Sequence, residues 1–414
     1  MIVAERNGMM KYLPIRNSYF PTGALLRHFF KGSRRIMYRK AKYAVVCLGL
    51  IAILSSADAR AGELTDLIEK YRIPGGVCVT VGYDGIVPAV EIADSRPFLV
   101  QALSEDDATV AELRAAIRQN DCAEKVSADL LYENGGLPYA DNMINVLLIA
   151  DARLCTDGNC KPEEIARVLT PGGVAVVVVA GNRNSDQNSN VESLLDTCSA
   201  AGLTNPGNAA YGSNRRIIVQ KPWPADIDQW THYRHGADGN PVADDMQVGP
   251  PKHLQWKAGP SNLRSHETDS SFSAAVIGGG RFFYIIDEAA LSTPGQEGLP
   301  DKWFLACRDA FNGVLLWKRP IEDWGWREWK DTWFTCRPGD MPLNLEMRLV
   351  ATEDGERLYA TLGYHAPISE IDGRTGEVLR TFDDTDLARE LLLLGDTMIF
   401  SRATSPERGA PATI

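Results

Sequence analysis

Two uninterrupted apolar runs, Val146–Ala150 and Val174–Val179, constrain the fold of this 414-residue chain more than any other feature. Runs without polar alternation belong to strands covered on both faces, as in a parallel sheet flanked by helices. The surrounding pattern agrees. Glu63–Tyr71 has helical spacing and is stopped by Pro74-Gly75-Gly76; Val77–Val81 and Phe98–Leu103 read as strands, and Thr109–Arg118 as a helix with Val110, Leu113 and Ile117 on one stripe. Glu163–Leu169 is a helix ending at Pro171-Gly172-Gly173, and a polar loop, Gly181–Asn190, precedes a helix at Val191–Ala201. Ile217–Val219 closes the sheet. Strands alternating with helices predict a doubly wound α/β domain over residues 62–221.

The second constraint is a repeat. The phrase strand–Asp-x-x-x-Gly–strand occurs at Asp309/Gly313 and again at Asp372/Gly376, 63 residues on. Repeated strand–turn–strand units predict the blades of a β-propeller over 261–414. The excess over a minimal blade lies in a Trp-rich insertion, Trp324–Pro342, and a third unit is expected from Leu394-Gly-Asp-Thr-Met-Ile-Phe400. Two units and a fraction make an incomplete propeller, as expected for the front part of a longer protein. Residues 222–260 carry turn formers and Trp223 and Trp230, which marks a connector that packs through its tryptophans.

Charge separates the N-terminus from the rest. The net charge is −11, yet residues 1–61 hold 11 basic residues against only Glu5 and Asp58. Lys31, Arg34, Arg35, Arg39, Lys40 and Lys42 precede a 12-residue apolar run, Tyr43–Leu54, and small residues follow as far as Ala61. That order predicts a secretory signal over 1–61, with Met37 as an alternative start, and so an exported periplasmic or cell-envelope protein. The run is too short for a permanent span, so no stable transmembrane segment is expected after signal removal. The acidic body argues against a nucleic-acid partner. Export leaves seven cysteines, of which Cys155 and Cys160, bracketing Thr-Asp-Gly-Asn, form the local pair expected to bond.

The segment Leu137-Pro-Tyr-Ala-Asp-Asn-Met-Ile-Asn-Val-Leu-Leu-Ile-Ala-Asp151 and the segment Glu164-Ile-Ala-Arg-Val-Leu-Thr-Pro-Gly-Gly173 resemble the class I S-adenosylmethionine-dependent methyltransferases of the type 11-like group. The repeat resembles that of pyrroloquinoline-quinone-type, quinoprotein alcohol dehydrogenase-like propellers. Together with Trp230-Thr-His-Tyr-Arg-His235, the arrangement is similar to exported bacterial proteins that join the two domains. The methyltransferase resemblance implies an S-adenosylmethionine site: a glycine loop after strand one, here Gly82-Tyr-Asp84-Gly85, and an acid after strand two, where this chain has Ser104 followed by Glu105. It also implies contacts from Asp129 and Asp151 near the ends of strands three and four.

Two departures stand at the most diagnostic positions. Tyr83 adds bulk where the cofactor needs clearance, and Ser104 carries no charge. The reading is therefore a non-catalytic scaffold or binding protein with a degraded S-adenosylmethionine site, its exposed blades offered to a protein or cell-envelope partner. An S-adenosylmethionine-dependent methyltransferase of unknown acceptor is the alternative, and a quinoprotein oxidoreductase fragment the third. A bound pyrroloquinoline quinone is not expected, because the chain has no adjacent-cysteine pair and too few blades. No metal site is expected, and His232 and His235 read as hydrogen-bonding residues of the connector.

Overall fold

The computed structural model describes residues 64–132, 136–179, 185–211, 214–247, 249, 254–260, 272–289, 302–324, 346–406 and 411–414. The predicted signal, Cys336 and most of the Trp-rich insertion lie outside the described residues.

A helix over 64–70 (α1) opens the described chain. It is followed by β1 (Gly76–Val81), α2 (Val87–Ser95), β2 (Phe98–Ser104), α3 (Asp107–Gln119), β3 (Val126–Leu130), β4 (Ile144–Ile149), α4 (Arg153–Thr156), α5 (Pro162–Val168), β5 (Leu169–Val179), α6 (Ser185–Ala200), β6 (Thr204–Tyr211) and β7 (Asn214–Gln220). The seven strands form one sheet in the order β3-β2-β1-β4-β5-β7-β6. β7 runs antiparallel to both its neighbours, while the pairs from β3 through β5 are parallel. This is the doubly wound, Rossmann-like sheet that the sequence predicts. Alternate residues feed two cores, Cys78, Val100, Val146 and Val176 on one face and Val79, Leu103, Leu147 and Val177 on the other. Burial on both faces explains why β4 and β5 are apolar without interruption.

Four local expectations are corrected. Pro171-Gly172-Gly173 is not a turn before the strand: β5 already begins at Leu169, and Gly172, at φ +77°, donates its N–H to Lys221 O at 2.9 Å. α6 starts at Ser185, six residues before the first apolar position, because polar residues are only weakly unfavourable in a helix. β6 and α2 escaped the periodicity. Pro206 and Gly207 interrupt β6, which an edge strand tolerates, and Pro88 sits in the first turn of α2, where its missing N–H costs nothing. Cys155 and Cys160 are free thiols. The turn between them is closed by the backbone, with Cys160 N donating to Leu154 O at 2.9 Å, and both side chains are buried among apolar residues. Burial pushes the Cys160 thiol up to about 12.

The C-terminal part consists of antiparallel sheets. β8 (Phe272–Gly278), β9 (Arg281–Asp287), β10 (Trp303–Asp309) and β11 (Leu315–Pro320) form the first; β12 (Leu349–Ala351), β13 (Arg357–Thr361), β14 (Ile368–Asp372) and β15 (Val378–Thr381) the second. β16 (Ala388–Leu394), β17 (Thr397–Ala403) and β18 (Ala412–Thr413) form a third, which begins six residues before the expected Leu394 because Gly395-Asp396 is its first hairpin turn. Consecutive sheets share cores: Phe283, Leu305, Leu349 and Ile371 between the first and second, Val350, Ile368 and Leu391 between the second and third.

The repeated turns have a mechanical role. Gly313 and Gly376 both sit at φ +75°, and a Cβ on either would come within 2.6 Å of an indole, that of Trp256 on Gly313 and of Trp317 on Gly376. Each indole N–H donates to the residue after the repeated aspartate, Trp256 to Ala310 O and Trp317 to Gly373 O, both at 3.0 Å. Glycine is required at both turns by conformation and by contact.

Candidate cofactor crevice

Strand order reverses between β1 and β4, the point where open α/β sheets bind ligands beyond the carboxyl ends of their strands. The predicted residues stand along that edge. Gly82 follows β1 at φ +74°, Ser104 ends β2, Asp129 is the penultimate residue of β3, and Asp151 lies two residues beyond β4. Asp84 and Gly85 are exposed beyond Gly82, and a Cβ on Gly85 would meet nothing within 4 Å.

These residues do not form one pocket. Tyr83, expected to obstruct the loop, packs against the core on one side of the sheet. Ser104 is buried, and its Oγ accepts from Asp106 N at 3.3 Å. Asp106 caps α3 by accepting from Thr109 Oγ1 and Thr109 N, each at 2.7 Å, and the hydroxyl bond first, then the backbone bond, holds its carboxyl below the usual range. Asp129 pairs with Arg114 at 2.9 Å. Asp151 accepts from the Arg153 guanidinium and backbone N–H, and the guanidinium bond holds its carboxyl low.

α4 and the turn after it, residues 153–160, lie beside the switch point. Leu154 Cδ1 would be 3.0 Å from a Cβ on Gly82. Asn159, buried, donates from Nδ2 to Glu105 Oε1 and to Tyr132 O, each at 3.1 Å, and accepts from Gly136 N at 3.3 Å. One amide thus ties together the segments after β2, β3 and β4. A Cβ on Gly158 would fall 2.9 Å from Leu154 Cα, so this tight return needs glycine. Sequence reasoning missed Leu154 and Asn159; Thr156-Asp-Gly-Asn159 carries only a turn signal. Asn159 engages Glu105 through Oε1, while Glu105 and Gly82 themselves are exposed.

Beside this turn, a cavity of about 660 Å³ opens at the carboxyl ends of β4 and β5, lined by Asp151, Arg153, Lys161, Glu163, Val179 and Leu194 among others. Among the described residues no cluster of three His, Cys, Asp or Glu could hold a metal ion. His235 Nε2 pairs with Asp228 Oδ2 at 2.8 Å, and His232 Nε2 accepts from Leu393 N at 3.0 Å, so both serve the connector.

The C-terminal antiparallel sheets join the opposite, amino-terminal edge of the sheet. Asn145, buried on β4, donates from Nδ2 to Asp309 Oδ2 at 2.7 Å, and its Oδ1 accepts from Asn312 Nδ2 and Val77 N, both at 2.8 Å. A Cβ on Gly76 would collide with Asn145, so the start of β1 is built around that amide.

No family model and no curated protein matches the sequence. Over about two-fifths of the chain, similar solved structures are mostly S-adenosylmethionine-dependent methyltransferases. One from Aquifex aeolicus is 13% identical, over 38% of this chain and 88% of that one, with a TM-score of 0.31. Geranyl diphosphate C-methyltransferase from Streptomyces coelicolor A3(2) is 10% identical over 39% and 77%, with a TM-score of 0.31. The [4+2]-cyclase SpnF is 19% identical over 39% and 81%, with a TM-score of 0.31.

Proposed function

We propose that this protein is an exported scaffold or binding protein in which a methyltransferase-like domain with a degraded S-adenosylmethionine site carries quinoprotein-type propeller blades. The observation that carries the reading is Asn159. Its buried amide bonds one carboxylate oxygen of Glu105, the acid nearest the ribose-binding position, and also bonds Tyr132 O and Gly136 N. A buried amide with these partners holds Glu105 to the turn, and displacing it would leave polar groups unpaired. The interlocked Trp256–Gly313 and Trp317–Gly376 contacts support the blade reading, and the basic, apolar and small-residue order of residues 31–61 supports export. Exposed Leu394 and Ile399 on the third sheet support a protein or cell-envelope partner for the blades.

Titrating the intact protein with S-adenosylmethionine in a calorimeter tests the first part. No saturable heat at millimolar ligand is expected, and saturable binding overturns the reading. Glu105 favours the second reading, an S-adenosylmethionine-dependent methyltransferase of unknown acceptor: Gly82 and Glu105 are exposed just beyond two adjacent strands. The same titration decides between the two.

A further inference from the structure

A second cavity, of about 190 Å³, lies at the seam between the amino-terminal edge of the sheet and the first two blade sheets, and it is unrelated to the crevice. Pockets between packed domains are common ligand sites. Its charged and polar walls include Tyr71, Arg72, Arg281, Asp309 and Glu356.

The hydrogen bonds of those walls are lopsided. The carboxylates are engaged. Glu356 accepts from Arg281 Nη2 on Oε1 at 3.0 Å and from Arg72 Nη2 on Oε2. Asp309 accepts from Phe311 N and Asn312 N on Oδ1 and from Asn145 Nδ2 on Oδ2. The donors are not all engaged. Arg281 is only 5% exposed, and its Nη1 donates to Asp354 O at 2.9 Å, yet its Nε–H has no partner. The Tyr71 hydroxyl is also buried and unpartnered. A buried N–H or O–H without an acceptor is costly, and for a guanidinium the cost is larger. Walls whose spare groups are donors call for a guest made of acceptors.

We infer that this seam cavity binds a small oxyanion, held by Arg281 Nε–H and the Tyr71 hydroxyl. Guanidinium–oxyanion hydrogen bonds are charge-assisted and are the strong kind. Burial also favours the neutral form of Asp309, which lessens its repulsion of an anion. Arg72, with 62% of its side chain exposed, marks the solvent side of the cavity. Phosphate and a simple carboxylate share this chemistry and differ in shape.

The test is calorimetry of the full chain with inorganic phosphate and, separately, with acetate at constant ionic strength, repeated on Tyr71→Phe, which removes one hydroxyl and leaves the ring packed. Saturable binding of either anion is expected, weakened about five- to tenfold in Tyr71→Phe, the effect of one lost hydrogen bond. Preference for phosphate or acetate identifies the shape of the guest. Absence of saturable heat with both anions at tens of millimolar, or equal affinity in the variant, overturns the inference and leaves the cavity to water. Because the cavity lies at the other end of the strands, neither outcome bears on the S-adenosylmethionine titration.

Discussion

Single residues decide how the parts of this chain hold together, and His232 is an example. Its Nε2 accepts the Leu393 N–H, so the ring proton sits on Nδ1, 2.8 Å from Thr231 Oγ1. Burial lowers its pKa, with Asp238 pulling the other way and His235 adding to the depression. The unfolded chain therefore takes up this proton before the folded one does. The stability His232 contributes is complete above its ordinary value of about 6.5 and is lost as pH falls from there through the lower folded value. Thermal unfolding between pH 7.5 and 5 should show that loss, and His232→Phe should flatten this part of the profile while lowering stability at pH 7.5. Asn145 is a second case. Asn145→Ala removes the partner of Asp309 Oδ2 and of Val77 N–H and one of the two bonds of Asn312 Nδ2, and urea unfolding should show a loss of about 2–4 kcal/mol. Neither role was legible in the sequence. Asn145 reads as an ordinary polar residue in a strand, and its partners are 164 and 167 residues away.

At the scale of elements, most of the architecture was legible because it follows from periodicity. β4 and β5 announce themselves by burial on both faces, and the Asp-x-x-x-Gly repeat marks equivalent turns in two sheets. What stayed hidden was hidden for local reasons: Pro88 at the start of α2, Pro206 in an edge strand, and a polar run at the start of α6. The crevice was half legible. Its residues could be placed at strand ends from the pattern, but the Asn159 bonds depend on the path of residues 153–160, which no periodicity encodes. The repeat turns also support a prediction. Gly376→Ala forces a side chain into left-handed backbone and against the Trp317 indole, and should destabilise by about 2 kcal/mol or more, measured by chemical denaturation. Ala at Gly85, where a Cβ meets nothing, is the control and should cost far less.

Across the whole molecule, the seven-stranded sheet and the C-terminal sheets are joined by buried polar groups as well as by ion pairs, among them Arg72–Glu356 and Arg374–Glu69. The connector adds a third tie. Trp230 bridges to Ile277 on β8, Thr231 O accepts from Ala351 N on β12, and His232 accepts from Leu393 N on β16, so three consecutive residues touch the first strand of each antiparallel sheet. Parts laced in this way should unfold together. Calorimetry of the intact chain should show one transition over all these sheets, and Asn145→Ala should broaden it or split it in two.

Among the described residues, the C-terminal sheets meet the amino ends of the strands through Asn145 and its partners, which has a consequence for how such a chain can change over generations. Substitutions in the loops after β1, β2 and β4 do not touch the joint, so drift there is not opposed by any loss of assembly. Mutations at Gly76, Asn145 or Asp309 would be removed because they separate the halves. A binding edge can therefore decay, or acquire a new ligand, while the body that carries it persists unchanged.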